Sequence, residues 1–527
     1  MNIELLQELR YDAVANMSSL EEVFVSRASA KQRAGRAGRV RPGHCWRMYS
    51  SEFLLSSFVE DNSAPEIKRV PLEEVVLQVL LLKLGLPEHF LGQCLEPPAM
   101  SQIKSSVNCL LDIKAILPRA TLPLTALGYH LAQMPVDIKI GKMLITASLL
   151  NCIEPALTVA AAIGGKSPFT SHPLKRAESA KAHSTFTSSY NFSLAAEKYS
   201  VSFSNNTSED RDRDSRHRDD LTPPNDVFFS DHLACVNAYN LWEKIFHSQG
   251  NAIAFDYCRE YYLSYNSLND IMKLRQNFKK HLQTSGFIPG GQEDLDVENI
   301  NDIDYEMEPN SKVENLTMDF LSLSTTAGTG YGTMRCALCA GLYPQVVRVS
   351  RFEDQAVKAA KKSRSTAGRP RELAPLRIMQ GDGVEVHVHP SSLTHEYVKY
   401  LLEGGQGSGQ GMSQPQKIKD AYIVYHKKIL SSKVFLHDCT SVPIAAILLF
   451  GGDVLISRTR KGVSSEAYVM VTVGSWIHFK MKELHAVLFR RLQQEMDALL
   501  RIKVENPAND VSKRQAVLVR VVQALLD

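Results

Sequence analysis

The 527-residue chain has no apolar run near the ~18 residues that a membrane span needs, and Val442–Phe450 is too short for one. Met1–Arg10 lacks a basic stretch followed by an apolar one, so no secretory leader is expected. An excess of either charge is missing too. The 60 Lys and Arg against 57 Asp and Glu leave +3, so any nucleic-acid surface must be a local patch rather than a global field. The nine cysteines form an odd, scattered set, which argues against a disulfide scaffold and for a reducing compartment, cytoplasm or nucleus. No H-E-x-x-H and no G-x-S-x-G occurs, so two common hydrolase signatures are absent. What is there, 44% apolar and 22% charged residues, is the balance of a globular protein rather than a disordered one. The length exceeds what one core holds, so several compact units are expected.

Along the chain the hydrophobic period changes. Leu9–Asp12 and Leu20–Val25 alternate around a polar turn, as a hairpin would. Residues 70–175 carry helical patterns, with Val136–Leu150 and Glu154–Ile163 apolar enough to be buried helices. The tract from Ser208 to Asp220 alternates charges with no apolar residue, so residues 188–228 are read as a disordered insertion. Helical periodicity returns at Asp231–Phe246 and Cys258–Leu282, and Glu293–Glu308 then forms an acidic break. Beyond it, Val384–His389, Tyr422–Tyr425 and Lys433–His437 predict short strands of a small β-barrel, with a Gly/Gln/Ser linker at Gly404–Gln416. Leu484, Leu488, Leu492, Met496 and Leu499 predict one buried face of a late helix.

The strongest local signal is Gln32-Arg-Ala-Gly-Arg-Ala-Gly-Arg39, inside a stretch from Arg27 to Arg47 that holds no acid. Spacings of four and three put Gln32, Arg36 and Arg39 on one face of a helix. Two glycines there cost about 1 kcal/mol each against alanine, which makes sense where a backbone is approached closely. An amide and two guanidiniums suit a transferring phosphoryl group, whose transition state spreads charge over its oxygens. The same composition also suits a flexible Arg/Gly segment that binds RNA backbones, or a solvated basic face.

Ser26–Arg39 closely resembles motif VI of the DEAH-box (DExH) RNA helicases, and the resemblance continues through nearly the whole chain. Pro65-Glu66-Ile67, Arg69 and Leu82–Gly85 resemble that family's winged helix. Leu124–Gly128, Met134–Asp137, Gly141-Lys142 and Ser230–Leu233 resemble its helical ratchet (HA2). Arg335–Pro344, His389–Ser392 and Leu448–Gly452 resemble its OB-fold region. The implied class is multidomain α+β: the end of a second RecA-like α/β lobe (1–50), winged helix (51–120), ratchet (121–290, with the insertion), acidic linker (291–324), OB-fold β-barrel (325–480) and C-terminal helices (481–527).

By this resemblance Gln32, Arg36 and Arg39 face the ATP γ-phosphate, with the arginines as catalytic fingers. Arg33 is left to packing or salt bridging, and the Leu9–Val25 hairpin wedges against nucleic acid. The implied reaction is ATP hydrolysis, with Mg²⁺, coupled to 3′→5′ movement on mainly single-stranded RNA. No first RecA lobe, motif V or D-E-x-H is present, so the chain resembles a helicase cut before its hairpin. It is expected to be inactive alone and to hold no tightly bound cofactor. The alternatives are a stand-alone RNA-binding module and a scaffold for a helicase partner.

Ala160–Ser167 satisfies a loose Walker A pattern, but an Ala-rich helical segment precedes it and Pro168 follows at once, where a P-loop needs strand and helix. Cys336 and Cys339 lack the second pair that zinc requires, and His387 and His389 lack a third ligand, so no metal site is expected. Lys358, Lys361, Lys362 and Arg364, within the basic stretch Arg351–Arg371, suit either an RNA backbone or a solvated loop. Tyr422, Tyr425 and Phe435 are candidates for base stacking only if they face outward.

Overall fold

A computed structural model describes residues 5–12, 17–171, 174–187, 189–199, 230–289, 331–351, 376–379, 384–395, 421–458, 468–474, 476–507, 509 and 511–526. The acidic linker and the Gly/Gln/Ser linker lie outside the described residues, as does most of the expected insertion at 188–228; its start is corrected, because Ser189–Lys198 form a helix. The chain forms two compact units: Met1–Gln133 with Lys427–Phe435, and Met134–His426 with Leu436–Asp527.

The first unit opens with the expected hairpin, β1 (Leu5–Asp12) and β2 (Met17–Phe24), paired antiparallel from Leu5–Phe24 to Asp12–Met17. β1 starts four residues earlier than alternation predicted: Leu5–Phe24 and Leu6–Val23 are apolar pairs, but Gln7–Glu22 and Glu8–Glu21, which join them to the rest, are polar. Glu8 lies directly opposite Glu21, a repulsive pairing. Arg10 offsets it, reaching Glu8 at 3.5 Å and Glu21 at 3.4 Å, and Arg69 holds Glu8 at 2.7 Å. Burial pushes the Tyr11 hydroxyl up to about 12, with Glu73 adding to the shift. β2 also pairs in parallel with residues 429 and 430, through Ser18 and Ser19.

Helix α1 (Arg27–Ala34) and a 3₁₀ turn (Gly35–Gly38) follow, then α2 (Ser51–Leu55), α3 (Glu73–Leu81), α4 (Pro87–Gly92), α5 (Met100–Asp112) and α6 (Ala126–Gln133). Leu72, Val76, Leu77, Leu91, Ile103 and Leu110 are buried among these helices. After α5 the chain doubles back, with Ile116 bridging Leu124. Thr125 then fixes the start of α6: its hydroxyl donates to the Ala115 carbonyl at 3.0 Å and accepts from Gly128 N–H at 3.0 Å. A Cβ on Gly128 would lie 2.0 Å from that carbonyl, so only glycine fits.

The second unit starts as a helical layer: α7 (Ile138–Leu149), α8 (Ile153–Gly164), α9 (Arg176–Ser184), α10 (Ser189–Lys198), α11 (Asp231–Gln249), α12 (Asn251–Glu260) and α13 (Tyr265–Thr284). α7 and α8 are the buried helices predicted. The continuous helix expected over Cys258–Leu282 is instead two. Tyr262 takes a φ of 53°, Leu263 N–H closes onto the Cys258 carbonyl at 2.8 Å, and Ser264 caps α13 through Ser267 N–H at 3.2 Å. The periodicity spans this break because Leu263 and Leu268 are both buried on either side of it. Arg275 of α13 ties the layer together, reaching Glu154 at 2.7 Å and Glu243 at 3.2 Å, with its guanidinium 4.5 Å from the Tyr239 ring centre. Burial opposes that charge, but Tyr239, Glu243 and Glu154 hold it protonated well above the ordinary range.

Helix α14 (Gly332–Leu342) packs on α7, and a Cβ on Gly341 would meet the Met143 Cβ at 2.5 Å, which sets how closely the two approach. Cys336 and Cys339 are fully buried in α14, and burial pushes the Cys339 thiol up to about 12. All nine cysteines are free, and among the described residues no group of three or more His, Cys, Asp or Glu could hold a metal. Strands β3 (Val346–Arg351), β4 (Leu376–Met379), β5 (His387–Val388), β6 (Ala421–Leu430) and β7 (Val434–Val442) follow, with β3 antiparallel to both β4 and β6, and β7 pairing β5 and β6. Then come α15 (Ile444–Phe450) and a three-stranded antiparallel sheet of β8 (Val454–Arg458), β9 (Tyr468–Val473) and β10 (Ile477–Lys482), with β9 central. The chain ends in α16 (Glu483–Glu505) and α17 (Ser512–Leu526). The predicted α16 face is only half right: Met496 and Leu499 are buried, but Leu484 and Leu488 are exposed and Ala486 is buried instead. Among the described residues no helix is long and apolar enough to cross a membrane.

Candidate functional site

The arginine turn is built from its fixed end outward. Ser26 caps α1, accepting from Ser29 N–H at 3.2 Å and sharing a hydrogen bond with the Ser63 hydroxyl at 3.1 Å. Arg27 then clamps the helix to the loop after α2: Nε donates to the Leu54 carbonyl at 2.8 Å, one terminal nitrogen donates to the Ser56 carbonyl at 2.9 Å, and the other meets Asp61 at 2.6 Å. Ala30 is buried beneath. Arg27 therefore spends its donors on the fold, which is why it is not part of the exposed set.

Beyond Ala34 the α-helix tightens into the 3₁₀ turn Gly35–Gly38, with Arg39 still helical at φ −74° and ψ −43°. In a 3₁₀ turn residues three apart eclipse one another, so Arg36 and Arg39 keep the common face that uniform α-helical spacing predicted. Gln32, Arg36 and Arg39 are all exposed, and Arg33 is half-buried. Gly35 has an ordinary helical φ of −65°, and a Cβ on either Gly35 or Gly38 would meet no atom within 4 Å. No contact among the described residues requires these two glycines. The turn presents two guanidiniums, an amide and open backbone on its exposed side. The described residues offer no carboxylate cluster to hold Mg²⁺.

The other sequence candidates divide clearly. Ala160 and Ala161 are buried in α8, whose last residue is Gly164, so a helix rather than a strand leads into Lys166 and no phosphate cradle forms. Tyr422 and Tyr425 are each 2% exposed on opposite faces of β6, where Ile423 and Val424 are buried as well, and Tyr422 packs 5.7 Å from the Phe479 ring; neither can stack on a base. This part of β6 is covered on both faces, which its run of Tyr, Ile, Val and Tyr does not distinguish from a half-exposed strand. His389 stacks on His437 at 4.3 Å and pairs with Ser391 at 2.6 Å, so it is engaged within the fold. Lys358, Lys361, Lys362 and Arg364 lie outside the described residues.

One constellation was missed. Asp231, the first residue of α11, is half-buried and accepts hydrogen bonds from the Ser392 hydroxyl at 2.7 Å, Leu393 N–H at 2.7 Å and Cys439 N–H at 2.8 Å. Its neighbour His232 pairs with Thr440 at 2.7 Å, and Ser230 bonds the same hydroxyl at 2.7 Å. Burial raises Asp231 to about 6, against the pull of its donors, and lowers His232 to about 4. Ser230–Leu233 and His389–Ser392 were each conspicuous in sequence, but nothing in either predicted that one would anchor the other.

Comparison with known proteins now bears on this geometry. Residues 137–235 match the helicase-associated domain (HA2), ratchet-like; residues 334–454 match the oligonucleotide/oligosaccharide-binding (OB) fold; residues 469–527 match the C-terminal domain in RNA helicases. The bovine (Bos taurus) ATP-dependent DNA/RNA helicase DHX36 is 31% identical over 502 residues, covering 95% of this chain and 39% of its own length. Mouse (Mus musculus) putative ATP-dependent RNA helicase DHX57 is 30% identical over 519 residues, 96% of this chain and 31% of its own. Human (Homo sapiens) ATP-dependent RNA helicase DHX29 is 30% identical over 503 residues, 95% and 29%. The chain belongs to the DEAH-box RNA helicase family. It corresponds to the C-terminal region of that family, with HA2, OB and C-terminal domains in order, and spans 39% or less of the length of these relatives.

Proposed function

We propose that the chain is the RNA-gripping C-terminal portion of an ATP-dependent helicase, and that Gln32, Arg36 and Arg39 are its contribution to the nucleotide site. The observation that carries this reading is the exposed arginine turn with two glycines that its own fold does not need. Arg36 and Arg39 act as fingers on the γ-phosphate and Gln32 orients beside them. Bound ATP with Mg²⁺ supplies the hydrolysis that drives 3′→5′ movement on single-stranded RNA. Residues 1–50 serve as the end of a second RecA-like lobe, the β1–β2 hairpin as its wedge, and α3–α5 with the Ile116–Leu124 bridge as a winged helix.

The sequence holds no D-E-x-H, and its Walker A-like stretch follows a helix and forms no phosphate cradle, so in this reading hydrolysis requires a first RecA-like lobe. The test joins the chain to that lobe from a DEAH-box relative and measures RNA-stimulated ATP turnover. Loss of an arginine finger lowers kcat by about 10³-fold or more, so Arg36→Ala and Arg39→Ala should do so while RNA affinity changes little. Normal turnover with weakened RNA binding would make the turn a basic patch instead.

A further inference from the structure

The three-stranded sheet of β8, β9 and β10 has two unlike faces. Its inner rows, Val454–Val473–Ile477 and Ile456–Val471–Phe479, run into the core, where Phe479 meets Tyr422. The outer rows follow from the same register. Leu455, Thr472 and His478 form one, Ser457, Met470 and Lys480 the next, and Tyr468 with Lys482 the last. Leu455 is 65% exposed and Tyr468 41%, and His478, Lys480 and Lys482 are exposed as well. No outer position is acidic.

Lys480 sits with its ammonium 5.2 Å from the Tyr468 ring centre, a diagonal neighbour held by cation–π attraction. His478 is held by Thr472 at 3.0 Å. The face thus interleaves flat or apolar groups with cations in a fixed arrangement on rigid strands. It draws on none of Lys358, Lys361, Lys362 and Arg364.

We infer that this outer face is a platform for two or three nucleotides of single-stranded RNA, with Leu455, Tyr468 and Met470 beneath the bases and Lys480 and Lys482 on the phosphates. The inference rests on the RNA-binding reading above and adds a location that the reading does not contain. Charge complementarity selects a polyanion. The aromatic and thioether surface between the charges selects one with planar faces, since base stacking tolerates any sequence. An acidic peptide would find the cations but would gain nothing from Tyr468. Spacing supports the footprint, because three rows about two residues apart along a strand span roughly 14 Å.

The experiment is fluorescence anisotropy of the whole 527-residue chain with a labelled 20-nucleotide poly(U) strand across a salt series, repeated with a labelled poly-Glu peptide. Each phosphate contact on a single strand contributes about −0.7 to the log–log salt slope, so Lys480→Gln with Lys482→Gln should flatten it by about 1.4. At 0.1 M salt the same loss should weaken affinity about tenfold or more. Tyr468→Ser with Leu455→Ser should weaken binding and leave the slope unchanged, and Lys480→Arg with Lys482→Arg should keep both. These side chains are exposed, so circular dichroism checks that each variant folds. Wild-type binding with an unaltered slope in the glutamine variant would overturn the platform and leave the RNA reading standing. Poly-Glu binding that the glutamine variant loses, with RNA binding intact, would reassign the face to an acidic protein. No wild-type binding to RNA at low salt would overturn both readings.

Discussion

Asp231→Asn is the perturbation whose outcome the structure determines most fully. The asparagine keeps one acceptor oxygen for Leu393 N–H but turns an NH₂ group toward the Ser392 hydroxyl and Cys439 N–H, which the carboxylate now accepts at 2.7 and 2.8 Å. Two charge-assisted hydrogen bonds at roughly 1.5–3 kcal/mol each put the loss at about 3–6 kcal/mol at neutral pH. The pH dependence has a definite sign. Burial raises the folded-state value of Asp231 from 3.8 to about 6. The stability tied to that shift is therefore fully present below 3.8 and is lost as pH rises through about 6. Asparagine does not titrate, so the gap between wild type and variant should widen by about 2 kcal/mol between pH 7 and pH 4. His232, depressed to about 4, contributes an opposite slope, losing stability as pH falls, but it is present in both proteins and cancels. Trp242 is fully buried on the same helix, Trp476 is half-buried in the same unit and Trp46 is exposed, so urea unfolding followed by the blue-shifted fluorescence reports on this unit. A gap that narrows on acidification would refute the reasoning, because it would mean that the hydrogen bonds outweigh burial and hold Asp231 below its ordinary range.

Gly35→Ala should raise thermal stability slightly, by up to about 1 kcal/mol, because its helical φ and open surroundings accept a methyl group. The same change should lower turnover in the reconstituted helicase if the glycine admits a phosphate, a combination that melting and kinetics measure together. Gly341→Val should lower the melting temperature through an overpacking penalty of about 1–3 kcal/mol, since its Cβ would lie 2.5 Å from that of Met143. The purified chain should show no ATPase above background, and Lys166→Ala should change nothing; a rate abolished by that change would restore the phosphate cradle rejected at the end of α8.

Local chemistry was legible in the sequence wherever neighbours along the chain decide the outcome. Arg36 and Arg39 keep a common face through the switch from α-helix to 3₁₀ turn because residues three apart stay aligned in both geometries. Buried helices α7 and α8 followed from unbroken apolar patterns. What stayed hidden depended on partners distant in sequence. The hairpin extends through Glu8 and Glu21 only because Arg10 and Arg69 neutralise them, which alternation does not register. Tyr422 and Tyr425 are lost to base stacking because partners distant in sequence, Phe479 among them, cover both faces of β6. Asp231 finds Ser392 across 161 positions, and no local signal announces such a bond. The α16 face slipped because Ala486, too small to stand out, is buried where Leu484 is not.

The central claim is that the arginine turn serves the nucleotide while the rest of the chain grips RNA. The direct measurement is kcat for RNA-stimulated ATP hydrolysis, with single-stranded RNA affinity in parallel, for the reconstituted helicase and its Arg36→Ala form. The account predicts a fall in kcat of about 10³-fold or more with RNA affinity and salt slope almost unchanged. Unaltered turnover together with a weaker, shallower salt dependence of RNA binding would contradict it.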